Sequence, residues 1–306
     1  MSISVIIPAR NSLVDTQTSV RSVIDACDEL RLACQLILID DCSEESEALV
    51  PFFRSLRLSP PHRLVRVRTH TREHYTGVFT LGLCLAEEER IFFISNDMFV
   101  TASFMKTLLA VCALSDKIGI VRGVSAYTDS HPEHVLAPPM AITDGRQVRE
   151  FSRAIAEMYG LQFVDDPVLS GDAILIRRSL VDRIGVLDTR FFGYFGDVDY
   201  GMRALLAGFR LVCAKGAWVH HKGGGHLRRE AEAKGLDLAA VVQSERMRLV
   251  TQAFEAFRDK WGFTSPSQFP GHMRFDLAGI AQRGRDRIPL SQAPPANWRT
   301  SFSPLS

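Results

Sequence analysis

The chain has 306 residues, 46% apolar and 23% charged, the make-up of an ordinary globular protein with length for a buried core. Its 36 basic and 35 acidic residues leave a net charge of +1, so no global basic field argues for a nucleic-acid partner or strong membrane attraction. The six cysteines, Cys27, Cys34, Cys42, Cys84, Cys112 and Cys213, form no C-x-x-C pair, which excludes a disulfide framework or common zinc site and predicts reduced thiols in a cytoplasmic protein.

Met1 runs straight into ISVIIPA with no basic flank, and no stretch approaches the ~20 apolar residues that cross a bilayer. Any membrane association is therefore expected to be peripheral. Short apolar runs at 3–9, 35–40, 64–69, 91–95 and 118–123 read as strands. The first, second and fourth are nearly continuous, as in a parallel sheet covered on both faces. Segments 15–31, 44–57, 77–88 and 101–114 read as helices, with Asp15 and Ser43 as N-caps. This alternation predicts an α/β class with a Rossmann-like, mostly parallel central sheet flanked by helices. Residues 124–147 read as an excursion loop, 147–160 as a helix and 173–178 as a strand. A helix at 198–207 stopped by Gly208, a strand pair within FRLVCAKGAWVHH and a helical stretch at 227–260 follow. The Pro- and Ser-rich tail from about 263 has weak pattern and is expected to wrap the surface or stay partly disordered.

Ligands of such sheets bind beyond the carboxyl ends of the strands. There the sequence places Pro8, Ala9, Arg10 and Asn11, then Asp40 and Asp41, then Ser95, Asn96 and Asp97. Asp41 and Ser43 also suit helix capping. An acidic receiver-type pocket is a poor match, because the third strand leads into Thr69–His70 and the fifth ends in Arg122–Gly123 rather than supplying an aspartate and a lysine. Later, FFGYFGDVDYG sets Asp197 and Asp199 behind Phe191, Phe192, Tyr194 and Phe195. Two readings stand there: a helix cap with a first-turn acid, or acid–base chemistry in an apolar pocket.

The strings SVIIPARN, LILIDDCS, FFISNDMFVTASFMKTLL, LSGDAILIRRSLVDRIGVLDTRFFGYFGDVDYGMRALLAGFRL and WVHHKGGG occur in that order. Over residues 2–226 the chain resembles glycosyltransferase family 2, with the GT-A fold, near its rhamnosyltransferase-like branch. The resemblance implies a 1–226 transferase domain, with a nucleotide-binding half at 1–123 and an acceptor and catalytic half at 124–226. A helical extension at 227–262 and an irregular tail at 263–306 would follow. It implies an inverting hexosyltransferase that uses a UDP-, dTDP- or GDP-linked sugar and a divalent metal, Mn²⁺ or Mg²⁺. The acceptor would be a hydroxyl of a glycan, a lipid-linked molecule or a protein, as in polysaccharide biosynthesis; homodimer formation stays open. By position, Pro8, Ala9, Asn11, Asp40, Asp41, Gly77 and Asn96 would hold the nucleotide sugar. Asp97 would ligate the metal, with His220 as best match for the histidine of its shell and His221 as fallback. Asp197 would be the general base, and Asp199, Asp172 and Tyr194 would contact the acceptor.

His220, His221 and His226 fit no common zinc spacing. With Lys222, Arg228 and Arg229 they read better as a lid over the diphosphate, the arginines alternatively forming a solvated helix face. Ser95, Gly196, Asp172 and Tyr75 depart from the family's usual residues. These departures keep open a degenerate domain that binds sugar nucleotides or serves as a scaffold. A nucleotidyltransferase is the weaker rival, since PARNSLVD lacks a Gly-rich basic loop.

Overall fold

A computed structural model describes residues 1–44, 48–128, 132–166, 169, 171–223, 235, 237, 247–262 and 288–305. The elements are β1 (Ser2–Ala9), α1 (Leu13–Glu29), β2 (Ala33–Asp40), α2 (Leu49–Ser55), β3 (Arg63–Thr69), α3 (His74–Leu85), β4 (Arg90–Ile94) and β5 (Met98–Phe99). Then come α4 (Ala102–Ala113), β6 (Ile118–Ser125), α5 (Gly145–Tyr159), β7 (Phe163–Asp165), β8 (Ala173–Arg177), α6 (Arg178–Ile184), α7 (Gly196–Leu206), β9 (Arg210–His221), α8 (Met247–Trp261) and β10 (Phe302–Pro304).

The described strands form one sheet in the order β10-β3-β2-β1-β4-β8-β6-β9-β5, with β7 also paired to β9. β3, β2, β1 and β4 are mutually parallel. β8 lies antiparallel between β4 and β6, and β9 continues parallel to β6. The continuous apolar runs are buried on both faces, as the sequence predicts, and alternation divides them. Val5, Ile7, Leu36, Leu38, Phe92 and Ile94 pack beneath α1 and α4. Ile6, Ile37, Ile39, Ile91 and Phe93 pack beneath α3, α6 and α7.

Several local expectations differ. α1 starts at Leu13, so Asp15 lies in its first turn instead of capping it. α2 starts only at Leu49 after Ala48, and the Ser43 hydroxyl accepts from Asn11 N instead. The expected strand pair at 209–221 is the single strand β9, whose pairing with β6 jumps between Gly123 and Val124. Gly123 permits that irregularity, because a Cβ there would lie 2.3 Å from Ala217 O. The last residues of the tail add β10 antiparallel to the edge strand β3. Pro304 suits that outer position, where no further strand needs its missing N–H. α8 covers the end of the expected 227–260 helix and runs one residue past it; apart from residues 235 and 237, its earlier part 227–246, like residues 263–287, lies outside the described residues. Among the described residues no helix is long and apolar enough to cross a membrane.

Candidate active site

The strand order reverses between β1 and β4, and the loops leaving their carboxyl ends frame a crevice. Because β8 runs antiparallel, its start brings Gly171 and Asp172 to the same edge, where Ser95 N donates to Asp172 O at 2.9 Å. Asn11, Cys42, His74 and Phe195 take positive φ values of 48°, 52°, 55° and 66° in these loops. For residues with a Cβ this backbone costs about 1–2 kcal/mol each and persists where neighbours hold it.

The loops after β1 and β2 fasten to each other. Asn11 Nδ2 donates to Glu44 Oε1 at 3.0 Å, Glu44 N returns a bond to Asn11 Oδ1 at 2.9 Å, and Asp41 N donates to Ala9 O at 2.9 Å. Pro8 is partly exposed at the end of β1. The Asp40 and Asp41 side chains turn inward. Asp40 is fully buried, accepts from Ser43 N at 3.1 Å and faces Arg68 at 3.3 Å. Asp41 accepts from Glu73 N (2.6 Å), His74 N (3.1 Å) and the Thr69 hydroxyl (3.3 Å), closing the start of α3 from outside the helix. Burial raises its pKa against those bonds. Gly77 sits in the first turn of α3, where a Cβ would lie 2.8 Å from Glu73 Cβ. Asn96 donates to Thr16 Oγ1 at 2.9 Å, in the first turn of α1 behind the loop after β1. The His74 ring lies 3.9 Å from Phe192 at the rim, and burial, with Arg72 and Arg10 nearby, lowers it to about 4, so it is neutral at pH 7.

On the opposite wall, α7 opens with Phe195 in the left-handed cap position, so Asp197 is a first-turn residue and not the cap. Its Oδ2 accepts from Gly171 N at 3.0 Å and its Oδ1 from Val198 N at 2.9 Å. Burial pushes the carboxyl up to about 6 despite these bonds, and Asp172 adds to the rise. Gly196 gives α7 its approach to α3: a Cβ would stand 2.5 Å from Thr76 Oγ1. This departure from the family's pattern therefore has a packing reason. At the end of α7, Gly208 N bonds Leu205 O and Phe209 N bonds Ala204 O, the expected glycine stop. Tyr194 is partly exposed in the loop before α7.

Asp199 departs from its expected acceptor contact. It is fully buried, bonds Arg203 Nε at 2.9 Å, meets Lys260 Nζ at 2.6 Å and accepts from Trp261 Nε1 at 3.1 Å. Successive helical residues point about 100° apart, so two positions on from Asp197 the side chain faces the core and α8. Lys260 also bonds Asp188 at 2.9 Å. Although burial works the other way, Arg190 and Lys260 hold Asp188 well below the usual carboxylate range.

Asp97 ends the β4 loop with His221 Nε2 3.3 Å away. His221 Nδ1 lies 3.0 Å from Tyr127 O and 3.7 Å from Asp172 Oδ2. Burial pulls the His221 pKa down, but Asp97 and Asp172 outweigh it and raise it. Adjacent strand residues face opposite ways, so His220, the sequence's first choice, lies on the other face of β9 from His221. Its ring centroid lies 6.0 Å from that of Trp218, and it lines a cleft with Asp15, Asp97, Phe99, Asp144 and Lys222. Burial lowers its pKa, Lys222 and His221 adding to this. Lys222 bonds Asp15 at 2.6 Å; His226, Arg228 and Arg229 lie outside the described residues. Behind Asp172, the buried Arg122 guanidinium stands 3.6 Å from it and 3.8 Å from Asp166. A proton-tunable carboxylate thus faces a crevice whose far side pairs a carboxylate with an imidazole.

The fold and crevice define a GT-A sugar-transferase architecture. The family description glycosyltransferase like family 2 matches residues 2–251, and the chain belongs to that family. A mannosyltransferase from Pyrobaculum calidifontis, solved with GDP-Man and Mn²⁺, shares the fold with TM-score 0.51 at 14% identity, over 97% of this chain and 82% of that one. GalNAc-T7, solved with UDP, GalNAc and Mn²⁺, gives TM-score 0.54 at 14% identity, over 92% of this chain and 54% of that one. An N-acetylglucosaminyl-diphospho-decaprenol L-rhamnosyltransferase of Mycobacterium tuberculosis is 46% identical over 55 residues, a match that spans only 18% of each protein.

Sequence reasoning missed three features of the site. It met Tyr75 only as a departure, though the Tyr75 hydroxyl touches the Gly171 carbonyl beside Asp197. It did not find Gly171, and it ranked His221 second. No local signal marks any of these: alternation counted back from Phe99, the strand partner of His220, puts His220 and not His221 on the face of Asp97, so the 3.3 Å approach of His221 to Asp97 follows from the tertiary structure alone.

Proposed function

We propose that this chain is an inverting, metal-assisted hexosyltransferase. It would move a sugar from a nucleoside diphosphate to a hydroxyl of a glycan or lipid-linked acceptor. The observation that carries the reading is Asp197, a carboxylate in the first turn of α7 pushed up to about 6 and held by two backbone amides. A base with that pKa is charged at pH 7 and still takes a proton readily. As the acceptor oxygen bonds the anomeric carbon, its proton passes to Asp197, and the bond to the diphosphate breaks on the opposite face. A single displacement of this kind inverts the carbon.

Asp97 and His221 fit a divalent cation: a hard carboxylate oxygen beside an imidazole whose Nδ1–H can donate to Tyr127 O, leaving Nε2 toward Asp97. Among the described residues no three His, Cys, Asp or Glu side chains are arranged to hold a metal alone. The remaining ligands would be diphosphate and water oxygens. Such a cation would offset charge growing on the leaving diphosphate. Asp172 and Tyr194 are assigned to the acceptor side. The loops carrying Pro8, Ala9, Asn11, Asp40, Asp41 and Gly77 are assigned to the nucleotide, met through their backbone where the carboxylates turn inward.

A thermal-shift screen of UDP-, dTDP- and GDP-sugars with Mn²⁺, Mg²⁺ or EDTA tests this. At 100 times its Kd the right donor stabilises the fold by about 2.7 kcal/mol, a rise of a few degrees. The metal-dependent part of that rise is expected to vanish in Asp97→Ala. No rise with any donor would instead support a domain that has lost the activity.

A further inference from the structure

Tyr75 lies on α3 with its ring wedged edge-on between two phenylalanines. The Phe79 centroid is 5.8 Å away at 80° and the Phe93 centroid 5.6 Å away at 84°. This packing leaves the phenol one direction, and its hydroxyl donates to Gly171 O at 2.9 Å. Burial pushes that hydroxyl well above its usual range, with Asp197 and Asp172 adding to the rise, so it stays a neutral donor. The next residue contact closes the chain of bonds: Gly171 N donates to Asp197 Oδ2 at 3.0 Å. Gly171 is clamped between the two. A Cβ on it would stand 1.9 Å from the Tyr75 hydroxyl and 3.1 Å from Asp197 Cβ.

We propose that Tyr75 is a positioning residue for Asp197: its hydroxyl fixes Gly171, and the fixed Gly171 N–H aims the carboxylate. The inference rests on the reading of Asp197 as the base. Gly171 N–H holds Oδ2 and Val198 N–H holds Oδ1, and a carboxylate's remaining lone pairs can take the substrate proton. Without the hydroxyl, Gly171 loses its anchor on the carbonyl side and the bond to Oδ2 loosens. A misplacement of this size lowers a rate without altering donor binding. The titratable groups facing Asp197 are Asp172, at the start of β8, and Tyr75 itself. Of the amide bonds that favour the carboxylate form, the one from Gly171 is the one that depends on Tyr75.

The test is Tyr75→Phe, which keeps the ring packed on Phe79 and Phe93 and removes one oxygen. The Asp197 midpoint is followed by carbon NMR of the labelled carboxyl, and turnover against pH in parallel. The midpoint is expected to rise, kcat to fall about tenfold, the acid limb of the rate profile to move up with the midpoint, and the donor-induced thermal shift to stay as in the parent. Gly171→Ala, which must displace the phenol, should reproduce the rise. An unmoved midpoint and limb in Tyr75→Phe overturn the proposal. If the parent itself transfers no sugar, the transferase reading fails, yet the NMR midpoint still decides whether Tyr75 sets Asp197.

Discussion

Asp197→Asn is expected to lose sugar transfer by ~10²–10⁴-fold while binding donor and metal as before. The amide keeps the size of the side chain and an oxygen for one of the two backbone donors, Gly171 N or Val198 N, leaves the other facing its NH2, and removes the basic group. The same carboxylate sets the pH dependence. Activity should fall as pH drops through about 6, because protonation there abolishes the base. Stability runs the other way. A carboxyl whose folded pKa lies above its unfolded value binds its proton more readily in the fold. Keeping Asp197 charged at pH 7 therefore costs on the order of 3 kcal/mol, a cost that fades as pH falls from about 6 towards 4. Asp197→Asn removes that cost but leaves one backbone donor unpaired, about 1–3 kcal/mol, so its stability at pH 7 should stay close to that of the parent. A mutant that is inactive but about as stable identifies a base; full activity in the mutant would remove Asp197 from the mechanism, and a large fall in melting temperature would make it a structural residue.

The largest stability loss should come from Asp199→Ala, about 3–5 kcal/mol in urea unfolding. The deletion leaves Arg203, fully buried, and Lys260, 6% exposed, without the carboxylate between them. Arg203 also donates to Ile184 O, Val186 O and Leu290 O, so one side chain ties α7 to the end of α6 and to the segment at 288–290. α8 brings Lys260 and Trp261 to the same carboxylate. It also packs Phe254 and Phe257 against Phe195, at 5.6 and 5.3 Å, the residue that holds a left-handed backbone at the entry to α7. A loosened α8 would free that turn and with it the direction of Asp197. Lys260→Met, which packs in place of the ammonium but leaves Asp199 and Asp188 short of a cation, should destabilise less than Asp199→Ala and still lower kcat. Were Asp199 an acceptor contact, Asp199→Ala would raise KM and leave the urea midpoint alone.

The two aspartates show why a local string of letters is not yet a site. DVD reads as a pair of acids, but helical geometry turns one to the crevice and the other to the core. The residues that receive Asp199 come from near position 260, and nothing in GDVDYG specifies them. His220 and His221 pose the same problem on a strand: His221 stands 3.3 Å from the Asp97 carboxylate, and His220 lines a cleft together with Asp97. Tyr75 and Gly171 meet across 96 residues of sequence.

By itself the sequence determined the central strands, a mostly parallel sheet, a crevice expected at their carboxyl ends and the family. Those features depend on short-range periodicity and on which residues follow each strand, information that is local and repeated along the chain. Only the tertiary structure decided which carboxylate faces the crevice, which histidine stands beside Asp97, and that α8 and the last residues of the tail belong to the scaffold of the site. These outcomes depend on the antiparallel insertion of β8, on the contacts of α8 with Asp199 and Phe195, and on the pairing of a weakly patterned tail with β3. Each is a packing choice between segments far apart in sequence, made by burial and charge pairing that no local pattern encodes.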